Sequence, residues 1–489
     1  MKNINILITI LSIVLLSSCS DFLDVKPTNS AASETSITNA NDAKVAINGL
    51  MRSMVNSNYY SRNFIMYGDA KGGDFAIYAQ GRGLDGLYTF NHSQTSGNYG
   101  GFWAQMYDCI LQVNNLLTNI EKIEAEGLGD AALLEYKGQA LTARALIYFD
   151  LVRLYGKPYN MDKESYGVPL VLDLVDASEK PTRASVGEVY NQIVSDLAEG
   201  ANTISKSVRN GFLNYYANKA IEARVKLHMN DFPGALAAAE EVINDKKYTL
   251  YDNDKWVNSW STAFGSESIF ELGVYENEAD LGTSSLGYYL LRLGIIKGAS
   301  GWFMASDYYL QRLGEDAEDI RWGIMDYDET SPLRFGSSLK YVGGSNMNGD
   351  KGGKASATNV KVIRLSEVYL IAAEAAIQQS TPDKMKAATY LNEIRKRSPN
   401  IDLATDATVS LKMVIDEKSK ELFAEGHRYF DMLRLGWDIE FNDEFIYPNV
   451  LIPHREKIID RTFFKTILPI PQDEIDANPA IGAQQNPGY

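Results

Sequence analysis

Apolar residues recur every three or four positions along most of the chain, a spacing that places them on one face of an α-helix. The pattern predicts helices at roughly 42–57, 102–123, 131–155, 185–204, 214–230 and 232–245. In the C-terminal half it predicts further helices at roughly 364–379, 383–397 and 408–435. The chain is therefore expected to be mainly α-helical.

Two pairs of these helices share one pattern. In residues 216–224 and 234–243, and again in 368–375 and 387–394, alanines alternate with large aliphatic residues at helical spacing. Small residues permit close approach, and the aliphatic residues fill the seam between two antiparallel helices. Although the chain has no strict repeat period, such hairpins resemble tetratricopeptide units, which stack into a scaffold with a continuous core.

Three long stretches interrupt the helical pattern, at roughly 59–101, 249–305 and 328–361. The first interleaves glycine with tyrosine and phenylalanine, the second carries tryptophan and tyrosine, and the third is rich in glycine, serine and asparagine. We expect loops and a few short strands in these stretches, but no helices. Insertions of this length are often functional. The proline-rich run from Phe441 is expected to wrap the body in extended form.

The N-terminus has the pattern of a secretory signal. Lys2 precedes an apolar run, Ile4 to Leu16. This run is too short and too often interrupted by polar residues to span a membrane, so a signal peptide is favoured. Leu16-Ser17-Ser18-Cys19 then matches a bacterial lipobox, which predicts cleavage before Cys19 and its lipidation; an ordinary signal peptide is the alternative. A multiply acylated cysteine anchors a protein stably. The expected organisation is a signal peptide at 1–18, a tether at 19–41 and a single domain at 42–489.

Composition narrows the function further. The 489 residues hold 47 Lys and Arg against 63 Asp and Glu, a formal net charge of −16, which argues against a nucleic-acid partner. Two cysteines are too few for a disulfide framework, and with Cys19 lipidated Cys109 is expected to be a buried thiol. The four histidines lie too far apart for a local metal motif.

Motifs for catalysis or cofactors are mostly absent. Residues 81–86 fit GxGxxG, but an aromatic, turn-rich stretch follows where a nucleotide site needs a helix N-terminus. Four aspartates lie close together in the sequence: Asp316, Asp319, Asp326 and Asp328. They could form a solvated acidic turn, and a structural calcium site is the alternative. No cofactor is otherwise expected.

One C-terminal segment carries acids and bases at helical spacing. Glu425, His427 and Asp431 are candidate general acids or bases. The favoured interpretation is structural: Glu421, Glu425, Arg428 and Asp431 would lie along one helix face as a ladder of ion pairs. The protein is therefore not expected to be an enzyme, although a surface glycoside hydrolase stays open as an alternative because acids are frequent throughout the chain.

The aromatic insertions give the stronger functional signal. Tyrosine and tryptophan faces stack on sugar rings, while aspartate, asparagine and arginine bind hydroxyl groups. Both kinds of residue occur together in 67–101. The same chemistry suits an extended peptide, and the alternative is that these aromatic side chains pack the insertions onto the helices.

Several segments in order resemble the SusD/RagB family, the outer-membrane nutrient-binding lipoproteins of Bacteroidetes. The matching segments are Cys19 to Pro27, the helix with Trp103, Tyr107, Ile110, Asn114 and Asn115, Glu135 to Gly156, Pro181 to Ser185, Arg364 to Leu370, Glu421 to Arg434, Leu468 to Pro471 and Gln485 to Tyr489. The resemblance covers nearly the whole chain. Lys418 departs from it, since the family often carries arginine there.

The resemblance implies a SusD-like helical fold and a lipid anchor that holds the protein on the outer surface of the outer membrane. It also implies a TonB-dependent transporter of the SusC type as partner, and an oligomeric nutrient, usually a glycan, that is bound and not cleaved. An oligopeptide ligand, as in the RagB branch, is the alternative.

Candidate ligand residues follow from two sources. By position, Asp69, Asp74 and Arg82 fall in the early ligand loop of the starch-binding members that this chain resembles. Aromatic chemistry and approximate location add Tyr78, Tyr88, Tyr99, Tyr275, Tyr289 and Trp302. The identity of the glycan is not encoded in these residues.

Overall fold

The computed structural model describes residues 37–77, 85–176, 178–274, 285–291, 303–328, 331–343, 358–441 and 456–489. Within these ranges the α-helices are α1 Ala40–Met54, α2 Asn63–Ala70, α3 Asp85–Tyr88, α4 Gly97–Ala125, α5 Ala131–Tyr155, α6 Val186–Thr203, α7 Tyr215–His228, α8 Phe232–Asn244, α9 Asn253–Ser259, α10 Leu286–Leu290, α11 Asp307–Leu313, α12 Leu365–Gln378, α13 Lys384–Arg395, α14 Leu411–Glu421, α15 Arg428–Leu435, α16 Gln472–Ala477 and α17 Pro479–Gly482. Short 3-10 turns lie at Ile320–Ile324, Leu339–Tyr341 and Phe464–Thr466.

Side-chain caps set the starts of the main helices. The Asp130 carboxylate accepts a hydrogen bond from the Leu133 backbone N–H at 2.8 Å, which begins α5. Ser185 and Glu188 form a reciprocal capping box at the start of α6, and the Asn214 side chain caps α7. Such caps satisfy backbone donors that a helix leaves unpaired in its first turn.

Consecutive helices pack against each other and form a stack. α5 packs against α4 and α6, α7 packs against α8, and α12 packs against both α13 and α8. Both predicted hairpins are therefore present, and the contact between α8 and α12 joins the hairpin of the N-terminal half to that of the C-terminal half. Alanines that lie between the helices, such as Ala220, Ala239, Ala372 and Ala387, are fully or almost fully buried. The mainly α-helical architecture of antiparallel helix pairs is confirmed.

The strands are short and pair only in twos within the described residues. β1 Phe75–Ile77 runs antiparallel to β3 Phe303–Ala305, and β2 Ser268–Leu272 runs antiparallel to β6 Val360–Arg364. The other two pairs are β4 Met325–Asp328 with β5 Ser331–Ser338, and β7 Ile439–Glu440 with β8 Ile458–Ile459. Two of the four pairs join distant parts of the chain: β1 with β3 joins two insertions, and β2 with β6 joins an insertion to the start of α12.

Two predictions about local structure are wrong. The stretches expected to hold no helix contain several: α2, α3 and the start of α4 lie in 59–101, and α9 and α10 lie in 249–305. The single helix expected at 408–435 is two helices, because residues between α14 and α15 form a turn in which Ala424 and Gly426 have φ angles of 65° and 87°. A right-handed helix cannot continue through two left-handed residues.

The C-terminal run wraps the body as expected, but with two short helices in it. The Leu468 N–H donates to the Leu154 carbonyl at 2.7 Å, and the Gln472 N–H donates to the Gln94 carbonyl at 2.9 Å. α16 and α17 follow this contact. None of the described helices is long and apolar enough to cross a membrane. The signal peptide, Cys19 and most of the tether lie outside the described residues, so these predictions stay predictions.

Candidate functional site

The predicted ligand residues are only partly described. Tyr78, Arg82, Tyr275 and Trp302 lie outside the described residues, and Tyr99 falls in the first turn of α4 with its side chain outside them. Asp69, Asp74, Tyr88 and Tyr289 can be placed. All four are at least nine-tenths buried.

Asp69 lies in α2, against the turn that separates α14 from α15. Gly68 makes this approach possible, since a Cβ atom there would lie 2.1 Å from the Gly426 carbonyl oxygen. Asp69 Oδ2 accepts a hydrogen bond from the Gly426 N–H at 2.5 Å. The pKa of this carboxyl is raised to about 8, mainly by burial. The hydrogen bond from Gly426 lowers the pKa, and the nearby Asp74 raises it.

Asp74 lies five residues further on and is paired with side chains from three elements. Oδ1 accepts a hydrogen bond from Arg312 of α11, and Oδ2 accepts one from the Ser419 hydroxyl of α14 at 2.6 Å. Arg428 Nε of α15 lies 3.5 Å from Oδ1. Asp74 thus gathers two guanidinium groups at one place.

The two tyrosines are packed inside the protein. Tyr88 is fully buried, and its ring meets the Phe303 ring edge to face at 4.8 Å between centroids. Tyr289 is 8% exposed, and the Arg62 guanidinium lies 5.1 Å from its ring centroid. In the described conformation Tyr88 attaches α3 to strand β3.

A polar cavity of about 390 Å³ opens beside Asp74. It is bounded by the loop before β1 and by α11, α14, α15 and β7. Its polar lining side chains are Asp74, Tyr308, Gln311, Arg312, Glu315, Lys412, Asp416, Arg428, Asp438 and Glu440. These five carboxylates and three cations give the lining a formal charge of −2.

Arg428 is the unusual member of this cavity. Its Nε and Nη1 atoms are fully buried and have no hydrogen-bond partner among the described residues. Burial lowers the pKa of Arg428, and the neighbouring Arg312 lowers it too, while Asp74 opposes both. Carboxylates on the same walls keep lone pairs free beyond their protein contacts, as in Glu440, which accepts only from the Tyr308 hydroxyl at 2.8 Å in the described structure. The cavity therefore offers both donors and acceptors to a ligand.

The candidate acids and bases of 417–437 serve the structure instead. Glu425 binds Arg364 and Lys340 at 2.7 Å, and Asp431 lies 2.9 Å from Lys418 and 2.6 Å from Arg434. Burial lowers the pKa of His427 to about 4, so the imidazole is neutral at pH 7. The ion-pair interpretation is right about pairing but wrong about the partners: Asp431 and Arg434 pair within α15, whereas the other pairs join different elements and do not form a ladder along one helix face.

Other reactive groups are also engaged or buried. Cys109 is a buried free thiol, and burial raises its pKa to about 12. Asp319 accepts hydrogen bonds from Arg321 Nε at 2.8 Å and Nη2 at 2.6 Å, and Asp316 accepts from the Asn400 backbone at 2.8 Å. No group of three or more potential ligands is placed to hold a metal ion in the described parts of the chain.

Of the predicted ligand residues, Asp74 lines the polar cavity, but the sequence patterns do not point to most of the other lining residues. Arg428 was considered only as a helix charge, and Tyr308, Arg312 and Asp416 were not singled out. They come from segments more than 100 residues apart in some cases, so no local motif marks them.

Comparisons with known proteins agree with this architecture. The family model described as the SusD family matches residues 302–489, and the one described as "Starch-binding associating with outer membrane" matches residues 21–227. SusD-like protein P2 of Formosa agariphila is 26% identical over the full length of both chains.

Two solved structures from Bacteroides vulgatus are also similar. A SusD superfamily protein is 33% identical, with a TM-score of 0.83 over 93% of this chain and 100% of that one. A second protein, described by its name as a sugar-binding protein, is 30% identical, with a TM-score of 0.82 over 93% of this chain and 100% of that one. The similarity extends over nearly the whole chain in both structures.

Proposed function

The chain belongs to the SusD family, and from that premise we propose that it binds an oligomeric glycan at the cell surface without cleaving it. In this proposal Cys19 carries the lipid anchor in the outer membrane. The bound glycan is passed to a TonB-dependent transporter of the SusC type. The polar cavity beside Asp74 is the described part of the glycan site.

The chemistry of the cavity supports a glycan. A sugar hydroxyl both donates and accepts a hydrogen bond, so it can accept from the guanidinium of Arg428, whose side chain lines the cavity, and donate to Asp416 or Glu440. Buried donors without partners are costly, and a ligand that satisfies them gains affinity. The Arg428 guanidinium, which lies 3.5 Å from Asp74 and has two nitrogen atoms without a hydrogen-bond partner among the described residues, is the observation on which this assignment depends.

The net charge of the lining favours neutral glycans. Five carboxylates outnumber three cations, so a uronate or sulfate group would meet net repulsion at short range. A neutral hydroxyl-rich chain avoids that repulsion. The substrate class we propose is therefore a neutral oligosaccharide.

Calorimetry on the purified mature protein tests the proposal, with neutral oligosaccharides, acidic oligosaccharides and peptides of similar length as ligands. A neutral oligosaccharide should bind. Tyr308→Phe and Asp416→Asn should each weaken that binding about 2- to 10-fold, the effect of one hydrogen bond of about 0.5–1.5 kcal/mol. Asp402→Asn, at an exposed position away from the cavity, is the control.

Three outcomes would contradict parts of the proposal. Binding of peptides alone would favour the oligopeptide alternative. Release of reducing ends during long incubation would identify a hydrolase. Equal binding by the control and both cavity variants would place the glycan elsewhere on the protein.

A further inference from the structure

A small cavity of about 20 Å³ lies where the C-terminal ends of α5 and α7 meet α15. Since about 10–15 Å³ is enough for one water-sized particle, it has room for one such particle and at most two. It shares no lining residue with the polar cavity beside Asp74. Five of its lining side chains are polar: Arg153, Lys157, Tyr190, His228 and Arg434.

Three hydrogen-bond donors in these lining side chains lack an acceptor. Tyr190 and His228 are 2% and 7% exposed, and neither side chain has a hydrogen-bond partner among the described residues. The Nε atom of Arg153 is fully buried and also has none within the described ranges. Buried donors without acceptors destabilise a fold, so an occupant of the cavity that accepts hydrogen bonds would stabilise this one.

The charged side chains of the lining are all cations, and the carboxylates paired with them lie outside the lining. Those carboxylates are Asp150, Asp162, Glu374 and Asp431. The last carbonyl groups of α5 and α7 add partial negative charge of about half a unit per helix, which is less than the three cations carry. An occupant of the cavity therefore lies closer to positive than to negative charge, and the energy between charges falls with distance.

The His228 imidazole responds to the same positive surroundings. Burial lowers its pKa well below the usual range, and Arg153 and Arg434 lower the pKa further. Lys418 acts in the same direction and Asp431 in the opposite one. The imidazole is therefore neutral at pH 7 and carries one N–H donor. Surroundings that disfavour a protonated imidazole favour an anion at the same place.

We propose that this cavity binds one monatomic anion, chloride, which joins the ends of α5 and α7 to α15. The Tyr190 hydroxyl and the His228 N–H donate hydrogen bonds to the anion. Arg153, Lys157 and Arg434 supply the positive charge around it. Sulfate and phosphate are too large for this volume, and water is the neutral occupant of similar size. The anion site is independent of the proposed function, because it lies apart from the glycan cavity.

Thermal unfolding measures anion binding in solution. Sodium gluconate is replaced stepwise by sodium chloride at constant ionic strength, because gluconate is too large to enter the cavity. The variants are Tyr190→Phe, which removes only the hydroxyl, and Lys157→Gln, which removes a partly exposed cation. The matched controls lie outside the cavity: Tyr166→Phe changes an exposed tyrosine, and Lys206→Gln also breaks an ion pair between lysine and aspartate.

An increase of chloride from about 5 to about 150 mM should raise the Tm of the unmodified protein and of both controls by about 1–2 °C, the shift expected for a dissociation constant on the order of 10 mM in a chain of this length. Tyr190→Phe and Lys157→Gln should lose at least about half of that shift, because each weakens the binding of the anion. An equal shift in the variants and the controls would be a general salt effect and would overturn the anion site. The absence of any shift in the unmodified protein would overturn it as well.

Crystals of the unmodified protein grown in sodium bromide test the occupant without any variant. Bromide replaces chloride, and its anomalous scattering should give a peak in the cavity between Tyr190 and His228. Density for water without an anomalous peak would overturn the proposal. An anomalous peak without a chloride effect on Tm would mean binding at crystal concentration only, and would overturn it too.

Discussion

A single carboxyl group, Asp69, shows how burial changes the chemistry of a residue that looks suitable for binding. It lies in a loop-rich region between acidic and aromatic neighbours, where the sequence predicts ligand contact. In the fold its two oxygens face the backbone N–H groups of Gly426 and Arg428, at 2.5 and 3.4 Å. This contact fixes α2 against the first turn of α15.

The raised pKa of Asp69 predicts a pH-dependent stability. The pKa is about 8 in the folded protein against 3.8 for the unperturbed group. Between these values the folded chain holds a proton that the unfolded chain has lost, so the contribution is complete below about pH 4 and falls as pH rises toward 8. For one group the slope is at most about 1.4 kcal/mol per pH unit.

Urea unfolding of the protein and of Asp69→Asn between pH 5 and 8 measures this contribution. The difference in free energy of unfolding between the two should change steadily with pH, with the unmodified protein losing stability relative to the variant. Asp402→Asn, at an exposed position, should give a difference that does not change with pH. A flat difference for Asp69→Asn as well would show that the buried carboxyl has an ordinary pKa.

At the scale of elements, the break between α14 and α15 is set by distant charges. Arg364, where β6 meets α12, donates to Glu425 at 2.7 Å through both Nε and Nη2, and to Glu267 at 2.9 Å and Glu421 at 3.1 Å through Nη1. Lys340 adds a second cation beside Glu425 at 2.7 Å. Glu421 ends α14 and Glu425 lies in the turn that follows, so one guanidinium binds both the end of the helix and the turn.

Replacement of Arg364 by methionine should strongly destabilise the fold. Glu267, Glu421 and Glu425 would lose a shared buried cation, and removal of one partner from a buried ion pair costs about 3–5 kcal/mol. Arg364→Lys keeps the charge but loses the bidentate geometry, so its free energy of unfolding should lie between those of the unmodified protein and Arg364→Met. The free energy of unfolding in urea is the measurement.

The control for Arg364 is Lys255→Ala, which removes a solvent-exposed ion pair with Asp252. Exposed pairs contribute little, so no measurable change is expected there. If Arg364→Met were as stable as Lys255→Ala, water or other cations would have to compensate the three carboxylates.

These elements also show what the sequence could predict. Periodicity located the helices of the stack, because burial of one face depends on residues three or four positions apart. It could not locate the break at 422–427, since the cations that bind Glu421 and Glu425 lie 57 to 85 positions away in the chain. The polar cavity was missed for the same reason: Asp74 meets Arg312 and Ser419 across separations of 238 and 345 residues.

At the scale of the whole molecule, one arginine ties the C-terminal segment to the helical stack. Arg183 donates to the carbonyls of Tyr155, Gly167 and Gln484 at 2.8, 2.7 and 2.6 Å, and to Asn486 Oδ1 at 2.9 Å. All of these acceptors are uncharged, and burial lowers the pKa of Arg183 to about 10. The end of α5 favours a cation here because its carbonyl groups carry partial negative charge.

Arg183→Met should therefore release the C-terminal segment and destabilise the stack together. Several buried oxygens would lose their donor, at about 1–3 kcal/mol each if water does not replace it, so a loss of at least about 3 kcal/mol is expected in urea unfolding. Hydrogen exchange should rise at residues 484–489 and also near 155–167, while Arg209→Met, at an exposed position, should change neither. Faster exchange confined to 484–489 would contradict this role, because it would mean that the segment only lies on the stack and does not stabilise it.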